Sequence, residues 1–411
     1  MKHTQAPLNA TQPNATQPNA MQALIIGGGI GGLAAAVALR KRGIDARVFE
    51  QRPELAEVGA GLSLWPNGLR ALDAIGLGGE VRSRSVRDLS SALRRADGRV
   101  IVAADGAALE QRLGDVSLVI HRATLLGLLR RELPPEALVT GVSCVGFSAD
   151  GSGVTARFAN GVAARGDVLI GADGIRSVVR ARLFGAPPPR YAGYTAWRAV
   201  VPFAHAQLLP GISIGHGAQF GQVPMAGGQV YWFATENGPS GRKAPSTGWK
   251  AHLLDRFATW HAPIPDLLAA TPESAILHND ILDRPPIASW GKGRVTLLGD
   301  AAHPMTPNLG QGANQALEDA EALAECLAAE ASARLGSSVR PDPTPALRHY
   351  EELRAERANS VVLGSRRVGQ VMQLEHPAAC WVRDALLGTR AATRLQMREL
   401  ARVTAVISPG V

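Results

Sequence analysis

The chain carries Gly27-Gly28-Gly29-Ile30-Gly31-Gly32 directly after the apolar run at residues 23–26. No other stretch restricts the fold as strongly. Gly27, Gly29 and Gly32 match the spacing G-x-G-x-x-G. The first glycine makes a tight turn, the second lets a pyrophosphate approach the backbone, and the third allows close helix–strand packing. Residues 23–26 read as a buried strand and residues 33–42 as a helix ended by Gly43, with Leu33, Ala36 and Val37 on one face. Residues 47–50 read as a second strand. The helix start adds partial positive charge for bound phosphates. Glu50 closes the second strand, where a carboxylate bonds ribose hydroxyls and repels a 2′-phosphate, so the site suits FAD or NAD rather than NADP.

A second glycine-rich stretch lies far downstream. Residues 294–299 form a short apolar strand, with Asp300 at its end, where open α/β sheets bind ligands. The Asp300 carboxylate can accept hydrogen bonds from ribityl hydroxyls. A loop over residues 303–309 leads to Gly310-Gln311-Gly312, and a helix begins near Ala313 with Leu317, Ala320, Ala324 and Leu327 on one face. Reduced flavin carries negative charge around N1 and O2. Backbone N–H groups and the helix dipole at Gly312, Ala313 and Asn314 would stabilise it, and Gly310 and Gly312 let the ring edge come close. Either stretch alone is compatible with an ordinary strand–loop–helix; together they point to a flavoprotein that holds FAD.

The length of 411 residues allows two or three domains and a large core, and 46% of the residues are apolar. The net charge of +8 comes from arginines scattered among Ala and Gly rather than a basic stripe, which argues against nucleic acid as a partner. Cys144, Cys326 and Cys380 show no metal-type spacing, so neither a zinc site nor a disulfide framework is expected, and a reducing cytoplasm fits. No apolar run approaches the roughly 18 residues of a spanning helix, so no integral membrane segment is expected. The repeat Thr11-Gln12-Pro13-Asn14-Ala15 and Thr16-Gln17-Pro18-Asn19-Ala20 is polar and Pro-containing, and residues 1–20 read as a disordered tail. Residues 187–285 change texture: alternation and aromatics rise at 194–198, 212–223 and 229–235, as in a β-sheet. A Pro/Ser-containing loop over 331–345 precedes helices read at 346–373, 381–387 and 391–404. Met372, Leu374 and Trp381 are expected in core packing, with pocket lining as the alternative.

Several segments, in order, resemble the FAD-dependent class A aromatic monooxygenases, the p-hydroxybenzoate hydroxylase-like group. They are the G-x-G-x-x-G with Glu50; Glu57-Val58-Gly59-Ala60-Gly61 with Trp65-Pro66-Asn67; His121-Arg122-Ala123-Thr124-Leu125; Gly171-Ala172-Asp173-Gly174-Ile175-Arg176-Ser177; and the Gly299-Asp300 segment. The resemblance runs from residue 21 to the end and is specific to the family rather than to a substrate. It implies an α/β fold: a Rossmann-like, glutathione-reductase-like FAD-binding domain (21–80, 112–186 and 286–335), an inserted β-sheet substrate domain (81–111 and 187–285) and C-terminal helices (336–411). It also implies that Arg122 reaches the FAD pyrophosphate, that Asp173 touches the same region and influences NAD(P)H binding, and that Arg52 lies near the flavin. For Arg122 and Asp173 a surface arginine and a turn aspartate are the structural alternatives.

The resemblance implies a reaction as well. NADPH or NADH reduces FAD, the reduced flavin and O2 give a C4a-hydroperoxide, and an electron-rich aromatic ring takes the distal oxygen, without a metal. The chain has no second G-x-G-x-x-G, which fits a nicotinamide cofactor that docks transiently; scattered arginines favour NADPH. On the substrate side, Arg198 is a candidate to bind an anionic or carbonyl group, or else a paired strand arginine. His216 is a candidate proton acceptor, though the commoner fate of such a histidine is structural. Phe220 and Tyr231 are sheet core or pocket walls, and Pro307 approaches flavin and substrate. The expected partner is a small aromatic molecule, with patterns similar to alkyl-quinolone, salicylate and urate hydroxylases, in a monomer or homodimer. The competing readings are an epoxidase or oxygen-independent reductase of the same fold, and a flavin-binding protein without turnover.

Overall fold

Short apolar strands build a five-stranded parallel sheet in the order Val295–Leu297, Val168–Gly171, Gln22–Ile26, Asp45–Phe49 and Leu138–Val139. The first three are buried almost throughout, as suits a parallel sheet covered on both sides. The computed structural model describes residues 21–55, 60–87, 92–103, 106–204, 208–333 and 342–404. The repeat tail, the Glu57-Val58-Gly59 part of the second motif, most of the 331–345 loop and residues 405–411 lie outside the described residues.

Register sets up the site. Ile26 pairs with both Gly171 and Phe49, and Gly171 pairs with Leu297. The turns that follow these strands therefore leave from one edge of the sheet. The first helix, Ile30–Lys41, starts three residues earlier than the hydrophobic spacing suggests, because the glycines themselves enter its first turn. It packs beside the 22-residue helix Gly312–Ala333. That crossing needs Gly31: a Cβ there would stand 2.6 Å from Leu298 and 3.1 Å from Ala316.

A second, seven-stranded sheet runs Leu277–Asp283, Arg190–Pro202, Gln229–Asn237, Ala218–Met225, Gly211–Ile214, Ala92–Arg95 and Val100–Ala103. Of the span 81–111, the strands Ala92–Arg95 and Val100–Ala103 join this sheet, whereas Val86–Arg87 pairs with Leu118–His121 in a small separate sheet with Gly61–Leu64. Alternation divides the seven-stranded sheet into two faces. Trp197, Ala199, Phe220, Val230, Trp232 and Ala234 point to helices Gly248–Arg256 and Ile264–Ala270 and form a core of their own. Tyr194, Arg198, Tyr231 and Phe233 share the opposite face, turned to the parallel sheet's glycine turns.

Of the two places open to Phe220, sheet core and pocket wall, the core is the one it takes. Its ring is fully buried, stacked on Trp232 at 5.5 Å and edge-on to Phe257 at 5.5 Å, on the face away from the turns. The helix Thr344–Met372 then crosses Gly312–Ala333 and the turn Pro307–Leu309, and two shorter helices, Pro377–Leu387 and Arg390–Thr404, follow. No helix of the described residues is long and apolar enough to cross a membrane. Phe220→Ala is expected to cost about 3–5 kcal/mol in urea unfolding, as for a large core side chain, with the FAD dissociation constant unchanged. A loss below about 1 kcal/mol would remove Phe220 from the core.

Candidate active site

The first glycine turn is shaped by what cannot fit. Gly27 has φ 111°, and a Cβ on it would lie 2.3 Å from the Ala172 carbonyl oxygen. A Cβ on Gly32 would lie 2.0 Å from the Gly27 oxygen, whereas one on Gly29 would meet nothing within 4 Å. The three glycines thus serve a turn, an open approach and a close packing contact. Gly29 precedes the helix in extended conformation with no side-chain cap, so the first-turn N–H groups stay open to a ligand. Glu50 stands just past the second strand, which ends at Phe49. Its carboxylate accepts from the Gly28 N–H at 2.6 Å and the Arg52 N–H at 2.9 Å. Each carboxylate oxygen keeps further acceptor capacity for a hydroxyl.

The neighbouring strand ends at Gly171, and Asp173 follows. Its Oδ2 accepts from the N–H groups of Val178 and Val179 at 2.7 and 3.3 Å, while Oδ1 is buried without a partner. Burial pushes this carboxyl up, against hydrogen bonds that pull it down. The third strand leads into a 3-10 turn, Gly299–Ala301, with Gly299 at φ 60°. Asp300 is open to solvent yet surrounded by protein, as at the floor of a cleft. Burial raises its carboxyl, and His303 and Arg122 oppose that rise. Arg122 opens the helix Arg122–Arg131; burial lowers its pKa, Asp300 raises it, and the like charges of Arg198 and Arg52 lower it. Asp300, Arg122, Arg52 and Arg198 therefore share one field, although they come from four distant segments.

The loop to the third site is held from behind. Asp319, fully buried, accepts from the Gly299 N–H at 3.0 Å, from His303 Nε2 at 2.6 Å and from Arg354 Nε at 2.8 Å. Arg354 also bonds Glu318 and the Gln315 side chain. Burial alone would raise the Asp319 carboxyl, but His303 and Arg354 bring it down to about 2. Sequence reading missed this network. Glu318 and Asp319 were visible in the helix, but Arg354 lies on another helix and no local pattern links them. Asn314 differs from expectation in its side chain: the amide accepts from Trp65 N–H and donates to the carbonyls of Ser63 and Gly310, so it clamps one loop to the helix start. The backbone at Gly312, Ala313 and Asn314 still begins the helix. Gly310 (φ 61°) and Pro307 are exposed beside it.

On the facing sheet, Arg198 donates from Nη2 to Asn279 Oδ1 at 2.7 Å, and its buried Nε has no partner. Tyr231 lies against Gly61, where a Cβ would stand 2.5 Å from its ring. Burial raises the Tyr231 phenol, and Arg198 opposes it. Tyr194 donates to Asn308 at 2.7 Å, which ties this sheet to the loop at 307–309. His216 takes the structural course rather than the candidate proton-acceptor one. It sits exposed on the turn between Gly211–Ile214 and Ala218–Met225, its Nδ1 3.1 Å from the Glu375 carbonyl. Gln373 packs between that turn and the cleft, bonding Gln219, Thr235 and Asn237. Met372 and Leu374 are half-buried beside it, but Trp381, expected in core or pocket, is exposed.

These residues fit FAD. The uncapped helix start at Ile30, a second helix start at Gly312, carboxylates at two strand ends, the orphaned Asp173 Oδ1 and the open space over Gly29 gather at one edge of the parallel sheet. The class they define is a flavin-dependent oxidoreductase. Residues 20–363 match the family described as FAD binding domain, and the chain belongs to that family, as an FAD-dependent class A aromatic monooxygenase that uses NAD(P)H and O2. It is 42% identical over 380 residues to aurachin C monooxygenase/isomerase of Stigmatella aurantiaca, covering 92% of this chain and 96% of that one. It is 38% identical to the chloroplastic zeaxanthin epoxidase of Solanum lycopersicum over 87% of this chain, which spans 55% of that protein. Among solved structures, Klebsiella pneumoniae HpxO in complex with FAD and uric acid superimposes with a TM-score of 0.85 at 30% identity, covering 95% of this chain and 98% of that one.

The Asp319 network has a pH signature. Its folded pKa lies below the unfolded carboxylate's value of about 3.9, so its stabilisation is complete above about pH 4 and is lost as pH falls through about 2. Urea unfolding of Asp319→Asn should show a deficit against wild type that narrows from pH 5 to pH 2.5. Arg354→Met, which removes the buried cation shared by Asp319 and Glu318 and leaves them only His303 and Arg357, should cost roughly 3–5 kcal/mol at pH 7. A deficit that is constant with pH would mean that Asp319 is not held as a carboxylate.

Proposed function

We propose that the cleft between the two sheets takes a planar, electron-rich aromatic or heteroaromatic ring bearing an ionisable or carbonyl oxygen, and that Arg198 binds that oxygen. The observation that carries this reading is the unpaired, buried Nε of Arg198 on the cleft face, beside Tyr231 and within the field of Arg122 and Asp300. A cationic donor left unpaired in a buried place is costly, and an oxyanion would satisfy it. The uric acid in the HpxO complex is such a ring, which supports the same class for this chain.

In this reading Gly27, Gly29 and Gly32 with the helix start receive the FAD pyrophosphate, Glu50 the adenosine ribose, Arg122 and Asp173 the pyrophosphate flank, and Asp300 the ribityl chain. Bound FAD, reduced by NADPH or NADH, supplies activated oxygen from O2 to the ring. The chain's own contribution is positional and electrostatic. The N–H groups at Gly312, Ala313 and Asn314 stabilise negative charge on the flavin edge. Arg198 orients the ring and favours its ionised, more electron-rich form, and Tyr231 and Phe233 exclude water. Pro307 borders the flavin side of the ring. Three unpaired thiols suit a cytoplasmic setting. Epoxidation of an alkene is the second reading, because of the likeness to zeaxanthin epoxidase.

The test is aerobic NADPH and NADH oxidation by FAD-loaded protein against hydroxyaromatics, quinolones, purines and alkenes, with product mass and absorbance recorded. Stimulation by a ring substrate with one added oxygen and retained aromatic absorbance supports hydroxylation; stimulation by alkenes alone supports epoxidation. Arg198→Gln should raise KM for the anionic substrate by about 10-fold or more, the worth of a charged hydrogen bond, with FAD affinity unchanged. Asp300→Ala should weaken FAD binding by about 10-fold or more. An unchanged FAD dissociation constant would remove Asp300 from the ribityl contact.

A further inference from the structure

The helix Pro377–Leu387 is inverted with respect to polarity. Its protein-facing side carries Arg383 and Asp384, both buried. Arg383 donates to the carbonyls of Gly215 and Met372 and pairs with Asp384 at 2.9 Å, and Arg95 reaches Asp384 from the neighbouring sheet at 3.1 Å. Its outer side carries Ala378, Trp381, Val382, Ala385 and Leu386, all exposed; Trp381 is 66% and Leu386 61% accessible. Helical spacing sets these five on one face. An apolar face with a tryptophan turned to water, on a helix anchored by its charges, is a surface built to be covered.

The next helix tells what covers it. In Arg390–Thr404, the residues Arg390, Arg394, Arg398 and Arg402 recur every fourth position and are all exposed, with Leu395 (63% accessible) beside them. Val403 and Thr404 are buried on its other side, where Arg70 and Arg357 donate to the carbonyls of Thr404 and Val403. Glu399 pairs with Arg402 at 3.3 Å, while Arg390, Arg394 and Arg398 make no ion pair with any described residue. Like charges four apart repel along a helix, so this row favours an anionic partner. A second copy packed row against row across a two-fold axis would bring like charges together. Guanidinium groups with a leucine beside them, on a helix that touches the one exposing Trp381, match the phosphate and upper acyl zones of a lipid bilayer.

We propose that these two helices form a docking surface for an anionic phospholipid membrane. The apolar face of Pro377–Leu387 enters the interfacial zone, and the arginine row of Arg390–Thr404 lies on headgroup phosphates. The attachment is peripheral and independent of the substrate class. It would tie the bilayer to the seven-stranded sheet, because Gln373, four residues before Pro377, bonds that sheet at Gln219 and Asn237.

The test uses the full, FAD-loaded chain and co-sedimentation with vesicles of phosphatidylglycerol and phosphatidylcholine in equal parts, against phosphatidylcholine alone. Wild type should partition onto the anionic vesicles and be released by high salt. The double variants Trp381→Ser with Leu386→Ser, and Arg394→Glu with Arg398→Glu, should each lose about 10-fold or more of that partition. Both should keep wild-type FAD content, circular dichroism and turnover of a water-soluble substrate. No partition of wild type, or equal partition of all three proteins, overturns the proposal. A solution dimer that the Trp381→Ser, Leu386→Ser variant dissolves, without vesicle binding by wild type, also overturns it and assigns the face to a second copy.

Discussion

Three adjacent parallel strands end in register at Ile26, Gly171 and Leu297, and the rest of the site depends on that alignment. A parallel strand must turn sharply at its end to feed a helix or a loop on the sheet's face. Two of the sharp turns use glycine at positive φ, Gly27 and Gly299, and Asp173 and Asp300, just beyond the ends of the second and third strands, are carried to the same edge. Two helix starts, at Ile30 and Gly312, follow from the same turns and add open N–H groups. One register thus concentrates open backbone donors and carboxylates at a single edge, the arrangement on which the proposed FAD contacts rest.

That edge would be loose without a brace. Asp319 supplies it by holding the Gly299 N–H, His303 and Arg354 at once, so a single buried carboxylate ties the strand-end turn to two helices. The network is satisfied on nearly every side. That is what lets a buried charge persist, since breaking such a group costs far more than its net worth when complete. The facing sheet is joined to this frame by narrower links: Tyr194 to Asn308, Tyr231 over Gly61, and Gln373 on Gln219.

The sequence was most legible where glycine spacing carried the message. The first strand–loop–helix could be read almost to the residue, since its glycines answer steric needs that no other residue meets. Helix starts were misjudged by a few residues because glycines interrupt the hydrophobic spacing, as at Ile30. Face assignment was the harder problem. Phe220 and Tyr231 are both aromatic strand residues, and only cross-strand register decides that one stacks on Trp232 while the other faces Arg198. His216 looked chemical because it was a histidine between glycines, yet those glycines make a hairpin turn that bonds the end of the long helix. Arg354 escaped attention and Trp381 was expected in the core, because their significance lies in partners or exposure, which spacing does not reveal.

The cleft is also assembled from segments at residues 27–32, 50, 122, 173 and 298–314, braced from residue 354. In the proposed reading the ribityl and ring contacts come from the last third of the chain. During synthesis the parallel sheet's first strands and helix can form well before the strand Val295–Leu297 is inserted at their edge. If Asp300 and the helix start at Gly312 hold the ribityl chain and ring as proposed, cofactor capture waits until the last third of each nascent chain has been added.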